Sequence, residues 1–134
     1  MLGHHGVRYL LIGGYAVNYH GYPRATGDID VWIELDPENA RRTVEAVRAF
    51  GFDTPDLTTE LFLEDGRIVR MGNVPLRIEI LNAVSGVTFE ECYPHRVETI
   101  IDGVQVPVIA LDDLKRNKRA SARYKDLADL KNLG

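Results

Sequence analysis

Along the first fifty residues the spacing of apolar and polar positions changes period repeatedly, and each change marks an element. Tyr9-Leu-Leu-Ile12 is a short apolar run closed by Gly13-Gly14, the pattern of a buried strand followed by a tight turn. Tyr15 to His20 follows as a short helix, ended at Gly21-Tyr-Pro23 because Pro23 pushes Tyr22 out of the helical region. From Asp28 to Glu34 the chain alternates, so a strand turns Ile29, Val31 and Ile33 toward the core and Asp28, Asp30 and Trp32 to the other face. Asp36-Pro37-Glu38 then starts a helix with a capping residue and a proline at the first helical position. Ala40, Val44, Val47 and Phe50 form its apolar stripe, and Gly51 ends it.

The second half repeats the two-residue period. Arg67 to Met71 and Leu76 to Leu81 read as strands joined by a hairpin turn at Gly72-Asn73. In the second of them Leu76, Ile78 and Ile80 face one way, Arg77 and Glu79 the other. Val97 to Ile101 and Val104 to Ile109, separated by Asp102-Gly103, form another hairpin, and Leu111 to Leu133 is helical. The whole is an α/β (α+β) pattern: a mixed, twisted sheet with helices packed on it. The length of 134 residues fits one domain, 1–134, with one core.

Composition narrows the partners. With 16 Lys and Arg against 20 Asp and Glu, the formal charge is −4, which argues against a chain that neutralises the phosphates of duplex DNA. A small phosphorylated ligand that brings its own metal ion remains compatible. Cys92 is the sole cysteine, so an internal disulfide and a cysteine-based zinc site are excluded, and a reducing cytoplasm is expected. The apolar run from Tyr9 to Val17 lacks a signal peptide's basic flank, and no run reaches membrane-spanning length, so no membrane partner is expected.

Two features carry chemistry. On an extended strand residues two apart share a face at about 6.5–7 Å, so Asp28 and Asp30 present paired carboxylates while Ile29 anchors the strand between them. Magnesium takes hard oxygen ligands and commonly one or two carboxylates, with water and phosphates completing the shell. A solvent-facing strand on which acids alternate with core residues gives the same local pattern. The Gly13-Gly14 turn lies between strand and helix, where exposed backbone N–H groups receive phosphate, and it serves equally as a plain turn. It matches neither the dinucleotide fingerprint nor the Walker pattern.

An apolar strand, Gly13-Gly14, a spacer and Asp28-Ile-Asp30-Val together resemble the signature of the DNA polymerase beta-type nucleotidyltransferase superfamily. The wider stretch Leu11-Ile-Gly-Gly-Tyr-Ala16, with Pro23-Arg-Ala-Thr26, is most similar to its small AbiEii-like, minimal branch, which includes toxins of toxin–antitoxin systems. The resemblance implies a nucleotidyltransferase-like fold and transfer of a nucleoside monophosphate from a nucleoside triphosphate, ATP among them, to a hydroxyl acceptor, with release of pyrophosphate. It implies Mg2+ or Mn2+ held by Asp28 and Asp30, and a third carboxylate on a nearby strand that binds metal and takes the acceptor's proton. Glu79 occupies that place, although the family more often has Asp there.

By the same resemblance Arg24 and Thr26 contact the triphosphate beside Gly13 and Gly14, and Lys118, Lys125 and Asp126 bind nucleotide from the terminal helix. As one continuous helix, that segment puts Lys118, Lys125 and Asp129 on one stripe and buries Leu127, Leu130 and Leu133. A solvated face laced with pairs such as Arg123 to Asp126 is the competing reading. The acceptor, on this view, is a protein, a tRNA or a small molecule. The alternative function is a catalytically inactive nucleotide-binding or antitoxin-like module that works by binding a partner protein; few residues precede Arg8, where relatives carry a helix.

Overall fold

The computed structural model describes residues 2–21, 28–52, 54–73, 76–101 and 103–133. Among them the chain forms six strands, β1 (Tyr9–Ile12), β2 (Asp28–Ile33), β3 (Ile68–Asn73), β4 (Leu76–Leu81), β5 (Val97–Ile101) and β6 (Val104–Val108). The helices are α1 (Gly13–Tyr19), α2 (Pro37–Ala49), α3 (Phe89–Cys92), α4 (Leu111–Ser121) and α5 (Tyr124–Leu133). The strands make one mixed sheet in the order β3-β4-β2-β1-β6-β5. β2 runs antiparallel to β1 and parallel to β4, while β3 with β4 and β5 with β6 are the two hairpins.

Both faces of the sheet are covered. On one, Val31, Ile33, Met71 and Ile80 pack against Ala40, Val44 and Val47 of α2. On the other, Leu10, Trp32 and Val108 pack with Ala16 and Val17 of α1, Phe89 of α3 and Leu114 of α4. Trp32 is buried at 1% exposure beyond Asp28 and Asp30 on their face of β2, so the strand's polar side gives way to core after one turn of the pleat. Two buried asparagines close the strand ends. The Asn39 amide group donates to Arg8 O and Glu34 O and accepts from Arg8 N, and Asn82 does likewise with Phe62 O, Glu64 O and Arg67 N. Such side chains satisfy backbone groups that a strand end leaves without a ladder partner.

The capping of α2 is as expected, with Asp36 Oδ2 accepting from Asn39 N at 3.0 Å. Four expectations need correction. The glycines do not form a separate turn: α1 begins at Gly13 itself. Gly72 and Asn73 pair with Arg77 and Leu76, so β3 continues through the residues expected to turn. Phe50 is the C-cap of α2, 56% exposed and stacked on Phe52, so it lies past the helix stripe rather than within it. The terminal helix breaks at Ala122, which adopts a left-handed φ of 52° and donates its N–H to Lys118 O. Past that break Leu127 is exposed and Asp126 and Asp129 are buried, against the expected stripe, while Leu130 and Leu133 are half-buried and Leu133 packs on the core as expected. Among the described residues no helix is long and apolar enough to cross a membrane.

Candidate active site

Strand register gathers the acidic residues. β2 and β4 are parallel neighbours in which Asp30 stands opposite Glu79 and Asp28 opposite Arg77. Because side chains alternate across a strand, Asp28, Asp30, Arg77 and Glu79 all project from one face. Asp28, Asp30 and Glu79 line a cavity of about 560 Å³ together with Gly13 and Gly14. Lys118 and Arg123, from the α4–α5 region, line its other side.

Gly13 is required here by two independent facts. Its φ of +65° is left-handed, and a Cβ built on it would run into Asp30 Oδ2 and lie only 3.0 Å from Asp30 Cγ. Removing the side chain at this corner is what lets the Asp30 carboxylate lie against the start of α1. Gly86 does the same for the roof: a Cβ there would strike the Ala120 Cβ, so the loop after β4 packs directly on α4. Asn117 Nδ2 donates to Ser85 O at 2.9 Å and fixes that contact.

The carboxylates on the strands already have cationic partners. Arg77 forks onto Asp28, with Nε to Oδ1 at 3.0 Å and Nη2 to Oδ2 at 3.4 Å. Arg70, opposite Glu79 in the β3–β4 register, donates Nε to Glu79 Oε1 at 2.9 Å. Strand register thus makes Arg70 the partner of Glu79.

On the helix side the charges are buried. Lys118 Nζ, on a side chain 4% exposed, bonds Asp126 Oδ1 at 3.0 Å and Asp129 Oδ2 at 3.1 Å. Asp126, third residue of α5, also reaches back to the Arg123 N–H at 3.2 Å and receives Arg123 Nε at 2.8 Å. Burial pushes the Asp126 carboxyl up, but hydrogen bonds from Arg123 and Lys118 and their charges outweigh it and hold its pKa below the ordinary value. The hydrogen bond to Asp126 raises the Arg123 pKa against some opposing burial, and the charges of Asp126, Asp30 and Glu79 add to the rise. Arg123 thus stands within electrostatic reach of the strand carboxylates, its side chain 62% exposed at the cavity wall.

Of the residues expected at a site, the structure brings Gly13, Gly14, Asp28, Asp30, Glu79 and Lys118 to one cavity and places Asp126 behind Lys118. Arg24 and Thr26 lie outside the described residues, and Lys125 belongs to α5 with its side chain outside them. Sequence reasoning missed Arg123, read only as a surface pair, and the cations Arg70 and Arg77; the polar side of alternating β4 was the available signal for Arg77.

A hard divalent cation fits this donor set in type. The groups are all carboxylate oxygens, two of them held on one strand, and the Gly13 corner leaves the Asp30 carboxylate room beside it. Among the described residues no three acidic, histidine or cysteine side chains converge as a ready-made cage. A two-carboxylate site completed by water and substrate phosphates is therefore the arrangement these residues suit. The Cys92 thiol is held protonated: burial, with Asp113 and Glu91 adding, pushes its pKa up to about 12.

No family model and no curated sequence matches the chain. Among solved structures, the lincosamide antibiotic adenylyltransferase LnuA, in its lincomycin-bound form, is similar with a TM-score of 0.56 at 15% identity, over 98% of this chain and 89% of that one. TM1012 from Thermotoga maritima, assigned as a nucleotidyltransferase, is similar with a TM-score of 0.55 at 16% identity, over 95% of this chain and 80% of that one. The chain has a nucleotidyltransferase-like fold, a mixed α+β sheet with helices on both faces.

Proposed function

We propose that the protein is a metal-dependent nucleotidyltransferase that moves a nucleoside monophosphate from a nucleoside triphosphate to a hydroxyl acceptor. One observation carries this reading: two strands, the α1 glycine corner and the α4–α5 junction deliver carboxylates, bare backbone and cations to a single cavity. The nucleotidyltransferase-like fold supports it.

Asp28 and Asp30 would hold Mg2+ or Mn2+, which when bound supplies charge neutralisation at the reacting phosphate. Gly13 and Gly14, which line the cavity at the start of α1 and carry no side chain of their own, offer backbone N–H groups suited to the β and γ phosphates. The acceptor oxygen attacks the α-phosphorus, the bond from it to the bridging oxygen breaks, and pyrophosphate leaves with that oxygen. Glu79, the third carboxylate of the cavity, would hold metal as well, and takes the acceptor's proton. Arg123 neutralises charge growing on the leaving pyrophosphate, and Lys118, held by Asp126 and Asp129, fixes the wall from which Arg123 projects. Catalysis then consists mostly of positioning and charge compensation. Arg24, Thr26 and Lys125 keep the triphosphate-binding role that the resemblance implies, on the residue pattern alone.

The likeness to an antibiotic adenylyltransferase favours ATP as donor and a small-molecule hydroxyl as acceptor over protein or tRNA. The AbiEii-like assignment, with its toxin–antitoxin partner, rests on the pattern around Gly13 and Asp28 alone. The rival reading, a nucleotide-binding module without turnover, draws support from the arginines that already occupy Asp28 and Glu79. To decide, the protein is incubated with α-labelled ATP, Mg2+ and panels of small hydroxyl compounds, tRNA and protein, and both labelled product and pyrophosphate are measured. Labelled product confirms transfer; nucleotide binding without either product across all panels selects the rival.

A further inference from the structure

The two arginines on the acidic face stand where strand register puts them. Arg77 is the β4 residue opposite Asp28, and Arg70 is the β3 residue opposite Glu79. Each therefore reaches its carboxylate with no change of backbone, and the Arg77 fork engages both Asp28 oxygens. Both guanidiniums are accessible, with Arg77 41% and Arg70 60% exposed, whereas Lys118 on the opposite wall is 4% exposed. An exposed guanidinium can leave for water at little cost, whereas a buried ammonium has no such alternative.

The carboxylate oxygens that receive these N–H groups are the ones a divalent ion needs. The same lone pairs cannot serve both fully, and a guanidinium within a few ångströms repels an arriving cation. A triphosphate changes the balance because its oxygens are themselves good partners for displaced guanidiniums. We propose that Arg77 and Arg70 are displaceable counter-cations of the metal site, which hold Asp28 and Glu79 in the metal-free protein and weaken uptake of a free divalent ion. The ion is then taken up with its nucleotide in preference to alone. This rests on the assignment of Asp28 and Glu79 as metal ligands made above.

The test measures metal binding, not turnover. Mn2+ is titrated into nucleotide-free wild type, Arg77→Gln, Arg70→Gln and the double variant, following free Mn2+ by electron paramagnetic resonance and the melting temperature by calorimetry. Each single variant should bind free Mn2+ about two- to fivefold more tightly than wild type, the gain expected for removing one competing exposed ion pair. The double variant should gain about tenfold, and its melting temperature should rise more on adding Mn2+ than that of wild type. Arg77→Lys, which keeps a cation in place, should stay near wild type. With ATP present the advantage of the glutamine variants should vanish.

Glutamine variants that bind free Mn2+ no better than wild type, in a protein that binds Mn2+ together with ATP, would overturn the counter-cation role and leave the metal assignment standing. Absence of Mn2+ binding in every form, with or without ATP, would overturn both. Should Arg77→Gln fail to fold, Arg70→Gln, on the more exposed pair, decides the question alone.

Discussion

The two walls of the cavity use the same chemistry, carboxylate against cation, and differ in burial. On the helix wall Lys118, Asp126 and Asp129 are at 4%, 0% and 2% side-chain exposure, and each charge has its partner within about the length of a hydrogen bond. On the strand wall Asp28 and Glu79, at 36% and 18% side-chain exposure, meet the exposed guanidiniums of Arg77 and Arg70. A buried charge that loses its partner is stranded in a low dielectric, so the helix wall has one arrangement and serves as frame. An exposed pair can exchange its partners for water, metal or phosphate, so the strand wall is the one on which chemistry is free to occur. Position in the sheet decides the division: the acids sit on the open half of the β2–β4 face, and the helix charges are sealed where α5 folds back on α4.

On that division, substitutions of the strand-wall acids cost activity and those among the buried charges of the helix wall, Lys118, Asp126 and Asp129, cost stability. Asp28→Asn should give the largest effect, lowering the transfer rate by about 10³-fold, as removal of a group that organises transition-state charge does. Its unfolding free energy should change by less than about 1 kcal/mol, since the pair it breaks is exposed. Paired assays of labelled AMP transfer and urea unfolding measure both; a loss of stability matching the loss of activity would erase the contrast.

Asp126→Asn is the converse. It removes the negative charge that faces Lys118 and Arg123 and one of the two acceptor oxygens of Asp126, leaving Asp129 as the carboxylate on Lys118, and should cost about 3 kcal/mol of stability. The pH dependence has a definite sign. The folded Asp126 pKa lies below its unfolded value, so the native state gains stability from the ionised carboxylate above the ordinary value of about 3.9. That gain is lost as pH falls through the depressed folded value. The gap in urea midpoint between wild type and Asp126→Asn should therefore hold near neutrality and close on acidification below about pH 4. A gap that widened in acid would contradict the ionised, paired state of Asp126.

How far the sequence foretold this contrast depends on the range of the interactions. Strands β2 and β4 were legible because a half-buried strand imposes a two-residue period, which also put Asp28, Asp30, Arg77 and Glu79 on polar faces. That β2 and β4 lie side by side was not legible from periodicity, since they are separated by α2 and β3 and their pairing is set by the whole sheet; Glu79 was reached through the family pattern. The helix wall was misread at one residue. Ala122 takes a left-handed φ without the glycine, asparagine or proline that normally signals a stop, so the stripe was carried through the break, and the acids of α5 were read as nucleotide-binding or as part of a solvated face, not as buried partners of Lys118. Arg70 was missed for a related reason: a turn expected at Gly72-Asn73, which instead pair with Arg77 and Leu76, shifts the β3–β4 register and with it the partner of Glu79.

Gly13 sits where the strand wall meets α1, and Gly13→Ala tests whether the open geometry of that corner is needed. The substitution forces a side chain into a left-handed φ and against the Asp30 carboxylate, with an expected cost of about 2 kcal/mol. The nearest obstacle is the end of a side chain, so Asp30 should swing aside and the fold survive. Activity should then fall more steeply than stability, by about 10²-fold, since a misplaced group of about 1 Å is costly to a preorganised site. A variant as active as wild type would show that the Asp30 carboxylate has no need of the position it holds against this corner.

Salt gives the smallest effect and separates the walls without touching either active residue type. At about 1 M ionic strength the screening length falls to about 3 Å, which weakens exposed pairs far more than buried ones. Arg77→Gln in the metal-free protein should lower stability by less than about 1 kcal/mol at low salt and by nothing measurable at about 1 M. The penalty of Asp126→Asn should survive the same change, because ions in solution do not reach Lys118, Asp126 or Asp129. Urea unfolding of both variants and wild type at two sodium chloride concentrations gives four differences from one design. If salt removes the Asp126→Asn penalty as readily as that of Arg77→Gln, the helix wall is open to solvent and burial cannot be what distinguishes frame from working surface.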